Sequence, residues 1–138
     1  HRQNEASRRL AAVPGIGVIT ATAIVATVSE PGQFRSGRQF AAWLGLVPKQ
    51  NSSGDRQRLG GISKQGDRYV RRLLVVGATA VIRHNRGKTT PGAQWLQSLL
   101  EKKPVRLVSV ALANKTARIA WALLTREQQF NPYRISAC

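Results

Sequence analysis

Apolar residues recur at helical spacing along most of this chain, and the spacing breaks down in one long stretch. After Gly66, Val70, Leu73, Leu74, Gly77 and Val81 share one face when residues are set about 100° apart. Arg68, Arg71 and Arg72 fall on the opposite face, and Asp67 stands where a helix-start residue is favoured by the dipole. The pattern predicts a strong helix from there to about Arg83. A second long helix is expected over Val105–Leu124, with Val105, Val108, Leu112, Ile119 and Leu123 as its core stripe. Asn114, Arg118 and Trp121 fall on its far face, where Trp121 is free to meet a partner domain. Shorter helices are expected over residues 3–11, Thr20–Val28, Gly37–Leu44 and Ala93–Leu100. Their boundaries come from local chemistry: VPGIG at 13–17, Glu30-Pro31-Gly32, a capping box of Ser36 and Gln39, Gly45 as a stop, and Pro104. Residues 84–92 read as a linker, and the tail after Glu127 as irregular. Trp43 and Trp95 sit on apolar faces and are expected in the core.

From Leu46 to Gly66 no helical period holds. Glycines at 54, 60, 61 and 66 and serines at 52, 53 and 63 mark a long loop, with room for a short strand pair. Structureless loops of that length are uncommon in a compact domain and are usually functional or disordered. The expected fold is therefore all-α: one helical domain over 1–138, with a helix-hairpin-helix element at 10–28 and a long basic loop, the candidate catalytic loop, at 46–66.

Charge changes this picture most. Lys and Arg number 22 against 6 Asp and Glu, a formal net charge of +16, and the natural partner of such an excess is a polyanion. Nucleic acid leads and an anionic membrane surface trails. The longest apolar run, Leu73–Ile82, is too short to span a bilayer. Cys138 is the only cysteine, so no disulfide framework or thiolate metal site is expected, and a reducing cytoplasm fits. The acids and the two histidines are scattered with no metal-ligand spacing, which argues against a self-contained two-metal nuclease. Few aromatics are available as base-stacking platforms, which disfavours a single-stranded RNA binder. The chain has no methionine and starts at His1, and is read as a piece of a longer protein.

Two constellations could carry chemistry. In the turn, Gly15, Ile16 and Gly17 precede Thr20 between two helices, a pattern similar to a helix-hairpin-helix motif. Two glycines allow close backbone approach to a phosphate, and the amides of the following helix face the anion. The alternative is an ordinary αα-turn. In the loop, Ser52 and Ser53 stand among seven cations: Lys49, Arg56, Arg58, Lys64, Arg68, Arg71 and Arg72. Guanidinium forks can clamp phosphate oxygens around an attacking serine. By spacing alone, Ser-Ser-Gly is ordinary loop composition, and the arginines could simply solvate a surface helix.

The stretch from Val13 to Ala80, above all GLVP, SSG and LGGISKQGDRYVRRLL, together with VSVALANKTARIAWALL at 108–124, resembles the IS110 (IS116, IS902) family of bacterial insertion-sequence transposases. The resemblance covers most of Leu10–Leu124 and points to the family's C-terminal domain. It implies DNA cleavage and rejoining, with a serine nucleophile forming a phosphoserine with the cut strand. The family serine maps to Ser53, with Ser52 as the neighbour that a one-residue slip would substitute. It implies Arg56, Arg58 and Lys64 as nucleic-acid contacts. It also implies an N-terminal RNase-H-like domain with bound Mg2+, absent from this chain, an element-encoded guide RNA, and a homo-oligomer acting in the bacterial cytoplasm, near the nucleoid. Without the acidic domain, this chain alone is expected to bind nucleic acid and not complete the reaction. The rival reading is a non-catalytic helix-hairpin-helix DNA-binding module of a repair or junction-binding protein.

Overall fold

The computed structural model describes residues 4–46, 67–126 and 130–131. Among them are six α-helices and no strand: α1 (Glu5–Ala11), α2 (Val18–Thr27), α3 (Gly37–Trp43), α4 (Arg68–His84), α5 (Pro91–Leu100) and α6 (Val105–Arg126), with a 3₁₀ turn at Pro31–Gln33. The all-α expectation holds, and the possible strand pair falls outside the described residues.

Helix starts follow the local chemistry of the sequence. Asn4 Oδ1 accepts from the Ser7 amide at 2.8 Å, and Thr90 Oγ1 from the Ala93 amide at 3.3 Å. Ser36 Oγ accepts from the Gln39 amide at 3.1 Å. Gln39 Oε1 returns to the Arg35 amide at 2.6 Å, one residue before the position a standard capping box would use. Gly45, at φ 84°, ends α3 in a Schellman motif. Its N–H donates to Ala42 O at 2.9 Å and that of Leu46 to Ala41 O at 3.0 Å. Two starts come earlier than the pattern suggests. α2 begins at Val18, because Gly17 already serves as its N-cap, and α5 begins at Pro91, whose fixed φ suits the first helical position.

Asp67 does more than start α4. Its Oδ1 accepts from the Val70 amide at 2.9 Å, and its Oδ2 accepts from Thr27 Oγ1 at 3.3 Å. One carboxylate thus caps α4 and ties it to the end of α2. Asp67→Ala should lower stability by about 1 kcal/mol, the usual cost of a lost N-cap, while Asp67→Asn should retain most of the cap. Urea unfolding of the two variants checks this, and equal losses would mean that charge and not capping matters.

The stripe expected for α4 is turned in the structure. Val70, Leu74, Ala78 and Ile82 are buried, whereas Leu73, Gly77 and Val81 are half-buried. The larger correction concerns α6. Val105 is 48% exposed and not core. Small residues, Ser109, Ala113, Thr116, Ala117 and Ala120, are buried with Val108, Ile119 and Leu123. The supposed far face is covered as well: Asn114 donates to Leu46 O at 3.1 Å and Trp121 Nε1 to Pro31 O at 2.9 Å. Trp121 is thus engaged within the fold, at the 3₁₀ turn. The physical reason is position. α6 packs against α1, α3, α4, α5 and the 3₁₀ turn, and a helix surrounded by neighbours has no single apolar side.

By length and composition alone α6 would also pass for a membrane span. It carries Arg106, Lys115, Arg118 and Arg126 and is wrapped by four other helices, which is the behaviour of a central core helix. The main core gathers Leu10, Ile24, Phe40, Leu44 and Leu74 around it. Phe34, Phe40 and Trp43 pack edge and face, with Phe34–Phe40 centroids 5.2 Å apart. A smaller cluster of Ile82, Leu96 and Val108 joins α4, α5 and α6. Trp95 packs against that cluster, half-buried, with Lys115 Nζ 4.4 Å from its ring centroid.

Candidate nucleic-acid interface

The turn between α1 and α2 is fixed on one side and open on the other. Gly15 adopts φ 93°, a left-handed conformation that glycine takes without steric cost. Its carbonyl lies directly against Gly77 in the middle of α4, where a Cβ would collide with it. Ile16 is buried at 3% exposure, and its amide donates to Val13 O at 2.9 Å. Thr20 is also buried. Any contact these two residues make with nucleic acid therefore runs through the backbone and not the side chain.

Gly17 differs from its neighbours. A Cβ there would meet nothing within 4 Å, and no side chain caps α2. The amides that follow it are those a helix start leaves without intrahelical partners. Val18 and Ile19 flank this end, 53% and 66% exposed. A shallow hollow of about 550 Å³ opens beside the turn and is lined by His84, Asn85 and Lys88 from the far end of α4 and the segment after it. Those three residues lie about seventy positions from the turn in sequence, and no local pattern announces the pairing.

Of the three arginines that start α4, Arg68 and Arg72 are exposed and four residues apart on one face. Arg71 is half-buried. α2 and α4 lie side by side in opposite directions, with Thr27 at Asp67 and Gly15 at Gly77. Nine residues separate Arg68 from Gly77, about 14 Å of helix at 1.5 Å per residue. At about 100° per residue those nine steps also turn Gly77 about 180° away from Arg68, so the turn and the arginines sit on different faces of α4 and do not converge on a point.

Lys49, Ser52, Ser53, Arg56, Arg58 and Lys64 lie outside the described residues. The positions on either side of that segment are firmly held. Leu46 is buried and its carbonyl accepts from Asn114 Nδ2, while Asp67 caps α4 and accepts from Thr27. Periodicity puts Asn114 on a far face and gives no sign of its part in holding Leu46. Among the described residues, no three His, Cys, Asp or Glu gather as a metal site would require.

Relatives of known family share this arrangement of sequence. The chain is 58% identical over 125 residues to a Pseudomonas aeruginosa protein named "Probable family 20 transposase", covering 91% of this chain and 37% of that protein. It is 44% identical over 129 residues to the transposase for insertion sequence element IS1111A of Coxiella burnetii, covering 94% and 35%. It is 39% identical over 128 residues to the transposase for insertion sequence element IS1328 of Yersinia enterocolitica, covering 93% and 38%. The chain thus spans a little over a third of the length of these relatives. The profile of the Transposase IS116/IS110/IS902 family matches residues 7–91, from α1 through the first residue of α5. That match takes in the hairpin turn, the arginines of α4 and the serine-bearing segment between them, and the chain belongs to the IS116/IS110/IS902 transposase family.

Proposed function

We propose that this chain is the DNA-binding and serine-nucleophile domain of an insertion-sequence transposase that cuts and rejoins DNA strands. Family membership across the hairpin, the Ser-Ser-Gly segment and α4 carries the reading, and the net charge of +16 supplies the partner. Ser53 Oγ attacks the scissile phosphorus. The new Oγ–P bond forms as the bond from phosphorus to the leaving deoxyribose oxygen breaks, and the serine proton ends on that oxygen. Attack by a strand hydroxyl on the phosphoserine reverses the exchange and rejoins DNA, so no outside co-reactant is consumed. Lys49, Arg56, Arg58 and Lys64 neutralise the phosphoryl oxygens. The turn at Gly15, Gly17 and Thr20 offers backbone amides, Ile16 anchors that turn through its bond to Val13 O, and Arg68, Arg71 and Arg72 offer side chains to the DNA backbone.

The remaining elements belong to the whole protein. Magnesium is assigned to an acidic RNase-H-like domain, target choice to a guide RNA, and assembly to a homo-oligomer in the bacterial cytoplasm. The helix-hairpin-helix reading of α1, the turn and α2 is part of the same proposal. Its support is the open Gly17 end of α2, which fits a phosphate contact without base reading.

Binding of labelled duplex DNA as a function of salt tests the phosphate contacts on this chain directly. Affinity should fall linearly on a log–log scale. Arg68→Gln with Arg72→Gln should flatten the slope by about 0.9 for every phosphate that these two side chains neutralise in the wild type. Salt-independent binding would count against the reading. The nucleophile itself is tested by whether the covalent protein–DNA adduct is lost in Ser53→Ala.

A further inference from the structure

α3 and α6 approach closely at Gly37, where a Cβ would lie 3.1 Å from Cβ and 3.2 Å from Cα of Arg118. With no side chain at 37, the turn that starts α3 can rest on α6. Arg35 and Arg38 then line the same hollow as Arg118 and Arg126, about 320 Å³ in volume and walled by Trp121. Arg35, Arg38 and Arg126 are exposed and Arg118 is half-buried. Among the described residues, no carboxylate lines the hollow. Four cations, two from the start of α3 and two from α6, therefore face one concavity.

The surroundings hold this arrangement in place. Asn114 donates to Leu46 O at 3.1 Å, which orients its Oδ1 to accept from Arg118 Nε at 2.9 Å. Trp121 is fixed through its bond to Pro31 O, and the Arg35 backbone through its bond to Gln39 Oε1. These bonds hold the Arg118 side chain and the Arg35 backbone; a guanidinium held in position loses less freedom on meeting a phosphate, and its planar fork matches the phosphate oxygens. The hollow shares no residue with the hairpin turn or with α4.

We infer that this hollow is a second nucleic-acid contact, seating a phosphodiester of duplex DNA between α3 and α6. The inference rests on the nucleic-acid reading above and adds a surface that the sequence did not single out. Arg118 and Arg126 lie beyond the Ser-Ser-Gly segment and beyond α4, so DNA that reaches both surfaces is gripped at two separate places on the domain.

The test compares Arg38→Gln/Arg126→Gln with Lys102→Gln/Lys103→Gln in the 138-residue chain. Both pairs remove two exposed charges, so a merely global charge effect moves them equally. Binding of a fluorescein-labelled duplex is read by anisotropy over a salt series, with thermal melts to show that both variants fold. The arginine pair should weaken binding about tenfold and flatten the salt slope by about 0.9, the value for one phosphate no longer neutralised. The lysine pair should change affinity less than about threefold, as expected of charges that neutralise no phosphate directly. Arg38→Lys/Arg126→Lys should recover part of the loss, because charge returns without the fork. Equal effects of the two pairs, with the wild-type chain binding well, overturn the hollow as a site and leave the broader reading intact. Failure of the wild-type chain to bind duplex DNA overturns both.

Discussion

Ser53→Ala in the full-length protein, supplied with its guide RNA and element-end DNA, should give no covalent protein–DNA adduct, while Ser52→Ala should still give one. The expected loss is complete, because the adduct is the Oγ–P bond itself and alanine has no oxygen to form it. The adjacent hydroxyl does not stand in. Attack on phosphorus requires an in-line approach, and a nucleophile misplaced by about 1 Å can lose on the order of 100-fold in rate. Hydroxyls on neighbouring residues hang from different Cα atoms, so on this reading the two serines are not interchangeable. Denaturing electrophoresis of labelled DNA after protease-free quenching reads the result without dependence on turnover. An adduct that persists in Ser53→Ala and disappears in Ser52→Ala would move the nucleophile by one residue. An adduct in neither wild type nor variants would leave the chain as a DNA-binding module.

Gly77→Ala should destabilise the fold by about 1–3 kcal/mol, the cost of overpacking a tight contact. The sign is the informative part. In an open helix interior, replacing glycine by alanine stabilises by about 1 kcal/mol through propensity alone. At position 77 the added methyl collides with the Gly15 carbonyl, which is backbone and cannot rotate away. Gly15 is itself in a left-handed conformation and backed by Val81, so the turn has little room to retreat. For a chain of this size each kcal/mol corresponds to roughly 3–4 °C in Tm. Gly32→Ala is the control, because a Cβ there meets nothing within 4 Å. Thermal unfolding should separate the two clearly. A Gly77→Ala chain as stable as wild type would mean that the turn does not rest on α4 in solution.

What the sequence reveals divides along a physical line. Caps and stops rest on neighbours a few residues apart, and Ser36, Gln39, Gly45 and Asp67 can be read in place. The helical class follows from periodicity. α6 departs from its pattern because a central helix buries small residues on several sides, so a stripe drawn through its largest side chains does not mark its inner face. The contact of Gly15 with Gly77 is invisible in the sequence because sixty-two positions separate the two residues and neither glycine looks unusual alone. By periodicity Gly77 is one more position on an apolar face. The candidate site is legible in a different sense. Charge points to nucleic acid, and family resemblance, not spacing, singles out Ser53. Arg35, Arg38, Arg118 and Arg126 carry no local signal, because two short arginine pairs far apart in sequence become one hollow only when α3 folds onto α6.

The touching glycines also bear on how such a protein can change over generations. Positions 15 and 77 constrain one another sterically, although they are spelled in two distant parts of the gene. A mutation that adds a side chain at 77 meets a carbonyl oxygen, for which no smaller residue can be substituted. Compensation has to come from a shift in the path of the chain. Drift at this junction is therefore costly in single steps, and the cost is relieved by rebuilding the turn.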